Sequence, residues 1–185
     1  MPASLGKYYD QAILGNTFIL STAAAGSAYP ISTGTAATFG VWNTSTTHNA
    51  VLQRLNVGYT SGTIAVGEIG LANIAAGQFA VATSSNITAF TDSVIGTTLR
   101  NAIVGGGNTS RMRSTPSAAT VVANTACWWS GYSNEVATVA PGISNASIDI
   151  DGAVIVPPGM FVFVCGSIAQ TGVFTMSLMW SEVPI

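Results

Sequence analysis

Apolar and polar residues alternate along much of this chain at a period of two, the spacing of a strand with one buried face. Near the end, Phe174, Met176, Leu178 and Trp180 fall on one side, with Thr175, Ser177 and Met179 on the other. The run Val51-Leu52-Gln53-Arg54-Leu55-Asn56-Val57 reads in the same way, with Val51, Leu55 and Val57 sharing one face with Gln53. Strands are expected over residues 17–21, 38–42, 50–59, 63–73, 93–99, 119–122, 127–132, 147–150, 153–156, 160–167 and 172–183. These runs are rich in Val, Ile, Phe, Trp and Thr and are bounded by Gly, Pro, Asn and Ser. Asp151-Gly152, between two short runs, carries the signal of a hairpin turn. Helical spacing is nearly absent. Only residues 72–81 (ANIAAGQFAV) could form a short helix, and Gly77 weakens it.

About eight to ten strands with such turns predict an all-β chain, a single jelly-roll or β-sandwich barrel. The barrel is expected over residues 36–185. The stretch before it, rich in Ala, Ser, Thr and Gly from Gly15 to Gly34, is less clearly patterned. Residues 1–35 therefore read as an extended N-terminal arm that packs along the domain or reaches a neighbour. A first barrel strand with a loose lead-in is the other reading. No internal repeat is present.

Composition changes the picture chiefly through charge. The chain has 185 residues, of which 48% are hydrophobic and only 6% are charged, against roughly 25% charged in ordinary soluble domains. So few charges give little electrostatic protection against self-association. That suits a subunit packed against other subunits, although a small secreted β domain with a Ser/Thr-rich skin would share it. The formal net charge of −2 gives no electrostatic footprint for nucleic acid or an anionic membrane. The longest apolar stretch, Ala153 to Cys165, is broken by Pro157-Pro158-Gly159 and cannot form a spanning helix. The opening Met-Pro-Ala-Ser-Leu-Gly-Lys lacks the basic start and apolar core of a signal peptide, so a cytosolic origin is expected. In that compartment Cys127 and Cys165 read as buried, reduced thiols, and the four Asn-x-Ser/Thr sequons as chance matches.

Candidate chemistry is sparse. His48 lies in a polar loop, with no nucleophile elbow in the chain to serve. Cys127, Cys165 and His48 lack metal-ligand spacing. Asp149 and Asp151 lack the downstream Glu of a calcium loop. Gly105-Gly106-Gly107 has no Lys-Ser/Thr after it, so it reads as flexible or tightly turned backbone and not as a phosphate cradle. No catalytic, metal-binding or cofactor-binding residue is expected, and the protein reads as a non-enzyme. Contact residues are better candidates. Arg111 and Arg113, with Arg100 upstream, concentrate positive charge that could grip carboxylates of a partner. Trp128, Trp129 and Tyr132 form an aromatic cluster, and adjacent strand residues face opposite ways. One tryptophan is thus left for a second layer, another subunit or a carbohydrate. Phe174 and Trp180, on the apolar face of the last strand, complete the candidate interface.

Two longer stretches carry a resemblance. One is Gly40-Val41-Trp42-Asn43, a polar loop, then Asn49-Ala50-Val51-Leu52-Gln53-Arg54-Leu55-Asn56-Val57-Gly58-Tyr59. The other is Asp151-Gly152-Ala153-Val154-Ile155-Val156-Pro157-Pro158-Gly159 with the ending Ser177-Leu178-Met179-Trp180-Ser181-Glu182-Val183-Pro184-Ile185. Over residues 36–185 the chain resembles the capsid decoration (cement) proteins of tailed bacteriophages, small jelly rolls similar to tumour-necrosis-factor-like trimers. Thr46-Thr47-His48 departs from the Gly/Ser/Lys-rich loop of such proteins. The resemblance implies a homotrimer on the outer capsid surface of the virion, assembled in the bacterial cytoplasm. It would bind the major capsid protein at capsomer junctions. Two other roles fit the same features. A head-fibre or tail-tip module would bind host carbohydrate or another receptor through Trp128 and Trp129. A jelly-roll shell subunit often carries a basic arm, whereas this arm holds one Lys and one Asp.

Overall fold

The computed structural model describes residues 8–31, 36–37, 39–75, 91–92, 99–115, 119–120, 129–134 and 145–185. Among the described residues one short helix, α1 (Tyr9–Ile13), precedes thirteen strands. They are β1 (Thr17–Ser21), β2 (Ala36–Ala37), β3 (Gly40–Trp42), β4 (His48–Ser61), β5 (Gly67–Ala75), β6 (Thr91–Asp92) and β7 (Leu99–Asn101). The remainder are β8 (Arg113–Thr115), β9 (Ala119–Thr120), β10 (Trp129–Asn134), β11 (Asn145–Val156), β12 (Met160–Gly166) and β13 (Val173–Pro184).

The strands form a five-stranded sheet in the order β11-β4-β13-β1-β7 and a six-stranded sheet in the order β10-β5-β12-β3-β8-β6; β2 and β9 pair separately. Both large sheets are antiparallel throughout. Each buries one face in a shared core, so the chain is an all-β sandwich. The pairings are nested: β1 with β13, β3 with β12, β4 with β11, and β5 with β10. First meets last and each later strand meets an earlier one, as in a long hairpin rolled up.

The period-two pattern places the core. Phe18 and Leu20 of β1, Leu55 and Val57 of β4, Val162 and Val164 of β12, and Phe174, Met176, Leu178 and Trp180 of β13 are all buried in it. Phe18 stacks on Trp180 with ring centroids 6.0 Å apart. The stretch before residue 36 contributes directly. β1 lies between β13 and β7, Tyr29 is buried, and Ser27 and Ile31 bridge to Phe174 and Gly166. Thr17–Ser21 is thus a strand of the sandwich, because Phe18 and Leu20 alternate onto its inner face.

Three sequence expectations are corrected. Residues 72–75 belong to β5 and not to a helix, because pairing with β12, from Ala72–Phe163 to Ala75–Met160, overrides a weak local propensity; 76–81 lie outside the described residues. The β4 alternation breaks at Gln53. Leu52 pairs with Trp180 and Arg54 with Met179, so Gln53 is an extra residue. Ala50 and Leu52 face the core before this bulge and Leu55 and Val57 after it, which puts Val51 outside. Asp151-Gly152 does not reverse the chain. It lies inside β11, where residues 150–153 stand opposite Gln53 between the pairs Asp149–Arg54 and Val154–Leu52. Both residues have left-handed backbone, with φ of 53° at Asp151 and 78° at Gly152. A conformation often used to turn a hairpin here arches an edge strand.

Candidate interaction surface

Two surfaces bring the polar and charged side chains together: the rim of the sandwich at the β7–β8 loop, and the outer face of the five-stranded sheet.

The rim is built on Glu182. This residue follows Trp180 on the inward side of β13 and is fully buried. A buried carboxylate needs donors on each oxygen, and the β7–β8 loop supplies them. Ser110 Oγ donates to Oε1 at 2.5 Å. The Arg111 backbone N–H lies 3.0 and 3.1 Å from the two oxygens, and Arg111 Nη1 reaches Oε2 at 3.3 Å. Thr44 Oγ1 donates to the Arg111 carbonyl at 2.7 Å. Arg111 is therefore a structural clamp, although its side chain stays 41% exposed.

Earlier in the same loop, Asn101 Nδ2 donates to the carbonyls of Gly15 and Asn108, while its Oδ1 accepts from the Ile103 N–H. Asn108 Nδ2 donates to the Leu14 carbonyl and to Asn16 Oδ1. Gly107, at φ 88°, packs against Asn101 so closely that any Cβ there would collide with the amide. The triglycine stretch is thus tightly turned backbone. Between it and the sheet edge lies a cavity of about 440 Å³, lined by Phe18, Leu99, Arg100, Ile103 and the loop backbone.

The outer face of the five-stranded sheet carries the residues that alternate with the core. Ser147, Asn56, Ser177 and Ser21 form one cross-strand row. Ser147 Oγ donates to Asn56 Oδ1 at 2.7 Å, and Asn56 Nδ2 to Ser177 Oγ at 3.1 Å. Beside them a groove of about 450 Å³ runs past Gly58, Asn145 and Thr175. The next row is Asp149, Arg54, Met179, Ile19 and Arg100. Arg54 Nε donates to Asp149 at 2.8 Å, Tyr8 Oη donates to the same carboxylate at 3.2 Å, and the guanidinium lies 5.7 Å from the Tyr8 ring centre. The bond to Asp149, then its charge, holds the Arg54 guanidinium above its ordinary range. A cationic pKa raised in this way stabilises the fold while both charges are present, and the contribution is lost in strong alkali as the guanidinium gives up its proton.

The expected contact residues separate into three groups. Phe174 and Trp180 are core residues and offer nothing to a partner: Phe174 packs on Tyr29 and Tyr59, and Trp180 on Phe18. Arg111 serves Glu182, and Arg113 is half-buried in β8 opposite Trp42. Trp129 and Tyr132 belong to β10, paired with Leu71 and Ile69, and Trp128 lies outside the described residues, as does Cys127. Cys165 is buried in β12. His48 is half-buried at the start of β4 with Nδ1 2.8 Å from Thr47 Oγ1, not free in a loop. Sequence reasoning missed Glu182, Asn101 and Asn108. Their signal, a lone acid in an apolar strand and asparagines flanking a triglycine, was present but does not name a partner.

Among the described residues no three of His, Cys, Asp and Glu come together in a way that could hold a metal ion, and no helix is long and apolar enough to cross a membrane. Comparison with known proteins finds no matching family model, curated protein or solved structure.

Proposed function

We propose that this protein is a virion structural subunit that decorates the capsid of a tailed bacteriophage. It binds at capsomer junctions on the outer surface as a homotrimer and stabilises the head. The reading rests on the outer face of the five-stranded sheet. That face presents Asn145, Ser147, Asn56, Ser177 and Thr175 as short, uncharged hydrogen-bonding groups, with Ile19, Met179, Val51 and Ile155 beside them. The Arg54 and Asp149 charges on it neutralise each other, and its remaining charge, Arg100, lies at the β7 edge. The centre of a face of this kind can pack against protein without stranding a charge, with Arg100 left to the rim.

The nested strand pairing supports a jelly-roll reading of the sandwich, the fold that the resemblance to phage decoration proteins implies. Binding is the whole mechanism: each contact is weak, and a trimer that engages several capsomers at once gains avidity.

The test is light scattering coupled to size exclusion, followed by co-sedimentation with empty phage heads. A trimer that pellets with heads and raises their resistance to heat supports the proposal. A monomer that stays in the supernatant overturns it.

A further inference from the structure

Nearly every charged side chain described here is engaged. Arg54 binds Asp149 and Arg111 binds Glu182, and Glu68, Arg113 and Asp151 also make contacts. Two of the described charged side chains, Asp10 and Arg100, are exposed and in no ion pair or hydrogen bond. Each lies beside apolar surface that a lone protomer leaves open.

Asp10 is in α1. This helix has five residues, none of them buried, far fewer than an isolated helix needs to persist in water. Tyr9 and Ile13, four apart and so on one face, are 41% and 57% exposed, and Leu14 beyond them is 61% exposed. Arg100 lies on the edge strand β7 and lines the 440 Å³ cavity, whose lining also includes the buried Phe18 and Leu99 and the half-buried Ile103. Val104, at the tip of the loop that walls this cavity, is fully exposed. A helix that exposes apolar side chains beside a carboxylate is complementary in charge and polarity to a loop that exposes Val104 near a guanidinium.

We infer that α1 of one copy docks against the cavity beside β7 of a second copy, with Asp10 against Arg100 and Ile13 and Leu14 over Ile103 and Val104. This rests on the reading of the protein as a self-assembling subunit. Because the two surfaces differ, the contact is head-to-tail; it closes as a ring in a trimer, or is made twice, reciprocally, in a dimer. Burial of the aliphatic side chains supplies affinity, and the single charge pair on a nearly neutral surface sets the register.

Sedimentation velocity across a dilution series tests the contact, using the full chain, Arg100→Glu, Asp10→Arg and the double reversal. Each single reversal places like charges together and is expected to weaken self-association by roughly tenfold or more, while the double reversal restores it. Ile13→Asn is expected to weaken it in either charge background. Far-UV circular dichroism and thermal melts at concentrations where all forms are monomeric check that the variants fold. An oligomer that neither single reversal weakens, or a double reversal no better than the worse single, overturns this contact and leaves the trimer proposal standing. A wild-type monomer overturns both. A dimer that responds as described supports the contact and overturns the trimer.

Discussion

The two large sheets treat their outer faces in opposite ways. On the five-stranded sheet, side chains that alternate with the core are short and polar, and Asn56, Ser147 and Ser177 bond to one another across the strands. On the six-stranded sheet, β12 is buried on both sides. Val162 and Val164 enter the central core, while Phe161, Phe163 and Cys165 point the other way and are equally buried. The Phe161 and Phe163 rings stack with centroids 5.5 Å apart, and Gly40 opposite them leaves room for the Phe161 ring; a Cβ there would run into the Val162 carbonyl and that ring. The difference teaches that the outer side of β12 is covered within the chain, whereas the five-stranded sheet leaves its polar face open. The signal is the run Met160-Phe161-Val162-Phe163-Val164-Cys165, apolar on both strand faces, against the alternation of β13.

Substitutions can break that comparison. Phe163→Ala should behave as a core truncation although its side chain points away from the central core, costing about 3–5 kcal/mol. Urea denaturation measures it, and a loss below about 1 kcal/mol, the range of surface substitutions, would mean that the outer layer is not a packed one. Glu182→Ala comes next, at about 2–3 kcal/mol, because Ser110 and the Arg111 N–H lose their acceptor. The same measurement applies, and Glu182→Gln should recover part of the loss by keeping an acceptor oxygen.

Across the other face the effects should be smaller. Asn56→Ala removes both bonds of the polar row and should cost about 1 kcal/mol. A cost matching that of Phe163→Ala would erase the contrast between the faces. Arg54→Ala should change monomer stability by less than about 1 kcal/mol, since the Arg54 and Asp149 side chains are 38% and 49% exposed. Repeating the melt at high salt sharpens this: the small loss should shrink further as the pair is screened.

Much of the architecture was legible in the chain. The strands around residues 17–21, 50–59, 160–167 and 172–183 follow from alternation or from continuous apolar runs, and Phe174 to Trp180 from parity alone. The contact residues were much less legible. Phe174 and Trp180 were expected to meet a partner because large apolar side chains mark interfaces and cores alike, and only the position of the second sheet separates the two. Arg111 was read as a free cation because Glu182, its partner, lies 71 residues away in sequence.

The sequence by itself determined that this protein is β-rich, poor in charge and apolar on one face of its last strand, because side-chain period and composition are local properties. The tertiary structure decided the rest. Strand register determined that Gln53 is an extra residue and that Val51 points outward. Pairing of β11 with β4 made Asp151-Gly152 a bulge, since left-handed backbone can either reverse a chain or arch it and only the neighbouring strand selects between them. Packing of the β7–β8 loop over the end of β13 buried Glu182 and engaged Arg111, leaving Asp10 and Arg100 without partners. Each of these outcomes depends on which strands become neighbours, a long-range property that no local pattern encodes.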